Sequence, residues 1–266
     1  MTIVAIGKSS FLAQEVAKHP AAKDWLFMQH EQALAHPGWM DKATVIVNFA
    51  FAPQFKKQVY DTQADFDSFL AKMLGGRDVR YIMLSSRMVY GQGDHYFDLT
   101  EDHACEPISP YGMAKHAVER ALERYLGDRL TILRMGNIFG VEKERATFFG
   151  QMIKGLKDDR KIVFDMSAET KRDFLPAHRF ADALTKVAAA PAAGIFNIGS
   201  GLATPCGDVA GWLIEGFGAG KLQVVKSEIR DQFSLDVSKA QAQWNIPAVT
   251  RETLGEDVIN CGKKLK

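Results

Sequence analysis

The stretch TIVAIGKSSFLAQEVAK, residues 2–18, sets an apolar run directly against a helical pattern, with one glycine, Gly7, between them. Residues 2–6 are short, apolar and β-branched, as a strand covered on both faces is. Phe11 opens the helix that follows. Gly7 supplies the tight turn. Ser10 and Ala13 stand three and six residues further on, where a phosphate-binding turn of this kind usually carries its second and third glycines. Ser10 adds only a small side chain, whose hydroxyl can hydrogen-bond a phosphate, and Ala13 nearly preserves close helix–strand packing. The start of a helix also offers backbone N–H groups to an anion. Taken alone, the stretch is either a phosphate loop or an ordinary strand-to-helix turn.

The same rhythm continues. Strand patterns fall at residues 25–29, 43–49, 80–84 and 130–133. Helical patterns fall at 64–74, stopped by Gly75-Gly76, and at 110–126, with Pro110 near the start and Gly127 past the end. Strands alternating with helices predict βαβ units and a parallel sheet. Beyond Gly140 the alternation loosens. Helices are expected at 146–157, 179–190, 208–217 and 251–262, and strands at 161–165, 195–198 and 222–225. The expected organisation is a sheet domain over residues 1–140, to which 175–200 return, and a smaller lobe built from 141–174 and 201–266, the two sharing one interface.

The chain has 266 residues, 47% of them hydrophobic, and a formal net charge of +1, enough apolar material for a substantial core. Its Lys and Arg are spread along the chain, which argues against nucleic acid or an anionic membrane as the main partner. No apolar run reaches the ~20 residues that span a bilayer. The N-terminus enters a strand at once and lacks the pattern of a signal peptide. Cys105, Cys206 and Cys261 are widely spaced, suit free thiols in a reducing compartment, and show no metal-ligand spacing. A cytoplasmic protein without a metal is expected.

The chemistry concentrates in a few segments. In SPYGMAKHAVE, residues 109–119, Tyr111 and Lys115 are four apart and share a helix face. An ammonium beside a phenol favours the phenolate and makes a tyrosine usable as an acid–base group; the bland alternative is an exposed helical pair. In YIMLSSRMVYG, residues 81–91, an apolar strand ends in Ser85-Ser86. That puts a hydroxyl at the sheet edge where parallel α/β folds bind ligands, unless the serines merely begin a turn. LTILRMGNIFG (130–140) ends another strand in Arg134 and Asn137, and KRDFLP (171–176) and FNIGSG (196–201) follow.

This ordered set resembles the extended short-chain dehydrogenase/reductase family, in the branch that works on nucleotide sugars. The resemblance runs from the first strand to LDVSKAQAQW, residues 235–244, and is most specific over TEDHACEPISPYGMAK, residues 100–115. It implies a Rossmann-type doubly wound parallel sheet, α/β in class, with a smaller C-terminal substrate-binding lobe. It implies catalysis by Ser86, Tyr111 and Lys115. Tyr111 would exchange a proton with the reacting sugar oxygen, Lys115 would hold the nicotinamide ribose, and Ser86 would hydrogen-bond the same sugar oxygen. It further implies cofactor contacts at Gly7, Ser10, Phe11, Leu12, His30, Phe49, Ala50, Tyr111, Lys115 and Met135, and substrate contacts at Ser86, Arg87, Asn137, Arg172 and Arg230. For Arg172 the alternative is an ion pair with Asp173 or another nearby carboxylate, and for Arg87 a solvated surface position.

Departures from the family pattern narrow the reading. The family's sugar dehydratases carry Asp-Glu directly after the catalytic Ser/Thr; here Arg87 and Met88 stand there, which argues against dehydration. His178 stands near the point where relatives place an aspartate and is read as structural. NAD-binding members carry an acid at the end of the second strand. Here that region reads WLFMQHEQ, with Glu31 a displaced candidate and His30 able to face a 2′-phosphate. NADP(H) is therefore preferred, with NAD(H) the alternative. The leading expectation is NADP(H)-dependent reduction of a 4-keto nucleotide sugar in deoxysugar or surface-polysaccharide synthesis. The alternatives are a nucleotide-sugar epimerase holding NAD tightly, and a non-catalytic dinucleotide-binding regulator. Family members pair through the helix bearing Tyr111, which implies a homodimer; Ala117, Ala121 and Leu122 line that interface or, equally, pack on the sheet.

Overall fold

Six strands, all parallel, form the central sheet of the computed structural model, which describes residues 1–93, 95–141 and 147–266. In chain order the first half contains β1 (Ile3–Ile6), α1 (Phe11–Ala17), β2 (Leu26–Met28), α2 (His30–Ala35), β3 (Val45–Asn48), α3 (Phe66–Leu74), β4 (Arg80–Ser86), β5 (Tyr96–Leu99) and α4 (Pro110–Leu126). Then come β6 (Leu130–Met135), β7 (Asn137–Phe139), α5 (Phe148–Asp159), β8 (Lys161–Phe164), β9 (Lys171–Arg172), β10 (Phe174–Pro176) and α6 (Ala177–Ala189). The chain closes with β11 (Gly194–Ile198), β12 (Thr204–Pro205), α7 (Cys206–Phe217), β13 (Lys221–Val224), β14 (Phe233–Leu235), α8 (Ser238–Trp244) and α9 (Arg251–Lys263).

The sheet order is β2-β1-β3-β4-β6-β11. The chain lays β2 on one side of β1 and β3 on the other, so the direction of winding reverses there. A crevice opens beyond the strand ends at such a switch point. Strand residues alternate between two cores, as a pleated sheet covered on both faces requires. Val45 and Val47 belong to the core under α1 and α6; Ile46 belongs to the core under α3 and α4, with Leu70, Leu74, Val118 and Leu122. The first of these cores runs on without a break into the lobe, through Phe174, Leu213 and Leu254. Helix starts are fixed locally: Ser10, Asp65, Ser109 and Thr147 each accept a hydrogen bond from a first-turn N–H.

The helix expected from residue 146 begins at Phe148 with Thr147 as its cap; Ala146 lies outside the described residues. The strand expected to reach Gln29 stops at Met28, because Gln29 caps α2, a helix the sequence pattern does not announce. The usual dinucleotide-fold order carries a further strand outside β2; here residues 29–44 form α2 and a 3₁₀ turn instead, and β2 is a three-residue edge. The remaining small sheets are pairs: β7–β10, β8–β13, β9–β12 and β5–β14. The last pair ties residues 96–99 to residues 233–235, so the two halves of the chain are interleaved. The three cysteines are free. Among the described residues no helix is long and apolar enough to cross a membrane, and no cluster of three or more His, Cys, Asp or Glu forms a metal site.

Candidate active site

A cleft of about 590 Å³ lies over the C-terminal ends of the sheet strands, between the turn after β1 and the start of α4. Gly7 is not part of the lining but packs behind it, with φ +96°, where a Cβ atom would come within 2.8 Å of the nitrogen of Ala50, which does line the cleft. Both its backbone angle and this close approach exclude any side chain. The Gly7 and Lys8 N–H groups donate to the Met28 carbonyl at 2.9 and 3.1 Å, fixing the turn to the end of β2. Ser10 lines the cleft, and its Oγ accepts from the Ala13 N–H at 3.1 Å. Accepting leaves the hydroxyl's own proton to donate toward a ligand. Phe11, Leu12, Phe49, Ala50 and Met135 line the same cleft.

To the same cleft β4 delivers Ser86, only 9% exposed, whose Oγ accepts from the Met88 N–H at 3.2 Å. The N-terminus of α4 packs on the turn after β4 at Gly112, where a Cβ would collide with the Met88 carbonyl oxygen. This packing brings Tyr111 and Lys115 to the cleft beside Ser86. Lys115 is 5% exposed and donates from Nζ to the Leu84 carbonyl at 2.7 Å. Its ammonium also lies over the Phe51 ring, 4.2 Å from the centroid.

Beneath the pair sits a buried carboxylate. Asp67 accepts from Asn48 Nδ2 at 2.8 Å and from the Tyr81 hydroxyl at 2.7 Å. Burial pushes its pKa up to about 6; the Lys115 charge works against that rise and neighbouring Asp65 adds to it. One turn beyond Lys115, Glu119 is paired with Arg134, Nη2 to Oε2 at 2.8 Å and Nε to Oε1 at 3.2 Å, and also accepts from the Ser85 hydroxyl. Burial alone would raise the Glu119 carboxyl, but its hydrogen bonds and the guanidinium charge outweigh that and hold it below the ordinary range. Arg134 is therefore a structural anchor of α4 on β6.

The model of the NAD dependent epimerase/dehydratase family matches residues 40–199, a span that contains Ser86, Tyr111 and Lys115. The chain belongs to that family. A provisionally named UDP-glucose 4-epimerase of Methanocaldococcus jannaschii is 30% identical over 115 residues, which cover 40% of this chain and 37% of that protein. ADP-L-glycero-D-manno-heptose-6-epimerase of Alkalilimnicola ehrlichii is 27% identical over 163 residues, covering 56% of this chain and 50% of the relative. The match thus spans half or less of the length of these curated relatives. Among solved structures, UDP-glucuronic acid 4-epimerase from Bacillus cereus, in complex with UDP-glucuronic acid and NAD, superposes with a TM-score of 0.79 at 18% identity, covering 100% of both chains. An NAD-dependent NDP-hexosamine 5,6-dehydratase involved in tunicamycin biosynthesis gives 0.81 at 18% identity, covering 99% of this chain and 97% of that one. At such identities the structures establish the shared fold.

A family dinucleotide fits the residues present. The cleft is backed by a side-chain-free turn and lined by a hydroxyl donor, Ser10, and by a buried, anchored ammonium, Lys115. One expected contact does not fit. His30 lies outside the cleft lining: it begins α2, half exposed, with Nε2 3.2 Å from Glu31 Oε1 and its ring edge-on to Phe66. The reason is the early end of β2. Gln29 takes the strand-end position, and its Oε1 accepts from the Ser9 hydroxyl at 3.2 Å.

The expected substrate residues divide. Asn137 lines the cleft, its N–H donating to the Asp173 carbonyl at 3.1 Å. Arg87 is not among the residues that line the cleft. It is buried, with Nη1 2.8 Å from Asp231 Oδ1, Nη2 on Asp231 Oδ2, and its guanidinium 4.0 Å above the Phe233 ring. Arg172 stands behind the cleft wall, stacked 4.8 Å from the ring of Phe148, which does line it. Its Nε donates to the Asp231 carbonyl at 3.2 Å, and its carboxylate neighbour is Asp231 at 3.9 Å, not Asp173. Asp173 points elsewhere, accepting from the Ser200 N–H and hydroxyl, the Gly201 N–H and the Leu235 N–H. Arg230 also lies outside the cleft, half exposed, 3.6 Å from Asp165. His178 is on the surface of α6, 3.4 Å from Asp257. Sequence reasoning missed Asn48, Phe51, Asp67 and Asp231. For Asn48 a signal existed, since it is the one polar side chain closing the apolar run TVIVN after Thr44.

Proposed function

We propose that the chain is an NADP(H)-dependent reductase of a 4-keto nucleotide sugar. The observation that carries the redox reading is the convergence of Ser86, Tyr111 and Lys115 on one cleft that Ser10, at the start of α1, also lines. The dinucleotide, when bound, supplies the hydride to the keto carbon. Ser86, already accepting from Met88, has its own proton to donate to the carbonyl oxygen and polarises it. Tyr111 gives its proton to the emerging alkoxide, completing the alcohol, and regains one from solvent. Lys115, a fixed positive charge in a buried setting, stabilises the phenolate left behind. NADP(H) is supported by the end of β2, where Gln29 replaces a carboxylate and Glu31 pairs with His30 at the surface. Dehydration is disfavoured: the positions that would need an acid and a base hold Met88 and an Arg87 already committed to Asp231.

A second reading is an epimerase that keeps its dinucleotide, favoured by the names of both curated relatives. The same three side chains would act, with the proton flow reversed between half-reactions. Incubating purified protein with NADPH and a panel of UDP-, dTDP- and GDP-linked 4-keto sugars separates the two. The reductase consumes NADPH in step with product; the epimerase interconverts sugars with no net change in nicotinamide absorbance.

A homodimer through α3 and α4 is supported by the apolar outer face of that helix pair, where Phe69, Met73, Met113 and Tyr125 are exposed. Leu122 is not part of that face; it is fully buried against the sheet. Sedimentation velocity showing only monomer would refute the pairing.

A further inference from the structure

Phe51 belongs to none of the sequence motifs, yet its ring touches both residues at the centre of the chemistry. It follows β3 in the loop that begins at Phe49, and it lines the cleft. The Lys115 ammonium stands 4.2 Å from its centroid, and the Tyr111 ring meets it at 5.3 Å with the planes 85° apart. Phe55, fully buried, supports it at 6.0 Å and is itself packed on Tyr60.

An ammonium has three donors. Lys115 spends one on the Leu84 carbonyl, and the negative π face of Phe51 attracts the charge from another side. Lys115 also lines the cleft, so a remaining N–H can be offered to a ligand there. The same ring packs on both side chains, so it fixes where the ammonium and the phenol ring stand relative to each other.

We propose that Phe51 is a positioning residue for the Lys115–Tyr111 pair, aiming a remaining ammonium donor at a ligand hydroxyl and holding the phenol beside it. Under the redox reading above, on which this inference partly rests, that hydroxyl belongs to the ribose of the nicotinamide dinucleotide. The function is carried by the π face, not by apolar bulk alone. Tyrosine at this position keeps the face, whereas leucine keeps most of the bulk and loses it.

The test compares wild type, Phe51→Leu and Phe51→Tyr by two measurements. The first is the dissociation constant for NADPH and NADH by calorimetry. The second is the rate of Lys115 reductive methylation, followed by peptide mass spectrometry without any ligand. Phe51→Leu should weaken dinucleotide binding about tenfold and speed Lys115 methylation severalfold, while Phe51→Tyr stays within about threefold of wild type in both. Equal behaviour of Phe51→Leu and wild type in methylation overturns the inference, as does a Phe51→Tyr protein as defective as Phe51→Leu. If neither dinucleotide binds wild type, the redox reading fails, and the methylation rates still decide the role of Phe51.

Discussion

Arg87 and Asp231, 144 residues apart in sequence, form a two-pronged ion pair that joins the turn after β4 to the segment before β14. Asp231 holds a left-handed backbone conformation, φ +51°, and also faces Arg172. Burial tends to raise its carboxyl, but Arg87 and Arg172 outweigh burial and hold it below the ordinary range. Removing one partner leaves the other charge largely buried. Arg87→Met should therefore cost about 3 kcal/mol of stability, measured by urea unfolding, while Arg87→Lys costs less. Because Arg87 lies outside the cleft, the variant's Kd for nucleoside diphosphates should stay within about threefold of wild type.

Asp67 presents the opposite electrostatics. Its folded pKa, about 6, lies above the ordinary carboxylate value of 3.8. A raised folded value contributes stability that is fully present below the unfolded pKa and is lost as pH rises through about 6. At neutral pH and above, the ionised carboxylate is thus a cost, offset in part by Lys115. Asparagine keeps an oxygen for the Asn48 and Tyr81 donors. Asp67→Asn should gain about 1–2 kcal/mol near pH 8, with the gain vanishing near pH 4. Thermal melts across that range decide it; a loss of stability near pH 8 would show that the Lys115 attraction dominates.

Tyr111→Phe removes the one hydroxyl proposed to move a proton at the sugar oxygen. The ring contact with Phe51 survives, so dinucleotide binding should change by less than about threefold, while kcat falls by a factor on the order of 10²–10⁴. Retention of full turnover would assign the proton to another group.

How much of this was legible follows from where each residue's partners lie. β1, β3, β4 and β6 announce themselves because strands buried on both faces are continuous apolar runs, and α4 because its caps, Ser109 with Pro110 and Gly127, are local. The four-residue strands β8 and β13 also read as apolar runs, whereas β9, β10, β12 and β14, two or three residues each, are shorter than any period they could show. Tyr111 and Lys115 read correctly as neighbours because one helix turn sets their spacing. The pairing of Arg87 and Arg172 with Asp231 is not legible in the sequence, because a cation in a motif shows its type but not its partner. That partner, Asp231, is 144 and 59 residues away. Phe51 was invisible for a related reason: an aromatic residue in a loop has no periodicity to betray what it covers.

The end of β2 gives the sharpest test of cofactor choice. Gln29 stands where NAD-binding folds place a ribose-binding carboxylate, and the Ser9 hydroxyl ties it to the turn after β1. A carboxylate there would repel a 2′-phosphate and accept from a 2′-hydroxyl. Gln29→Asp should therefore weaken NADPH binding about tenfold or more while leaving NADH unchanged or tighter. His30→Ala, altering a side chain outside the cleft, should move neither constant by more than about twofold. The single-glycine turn bears on the same constants. Ser10 caps α1, so Ser10→Gly trades a cap for backbone room, and the cap loss is only a few tenths of a kcal/mol. The net change in Kd for either dinucleotide should stay under about tenfold. A larger gain on Ser10→Gly would mean that the serine side chain obstructs the pyrophosphate. A stronger response to His30→Ala than to Gln29→Asp would move the ribose site from the strand end onto α2.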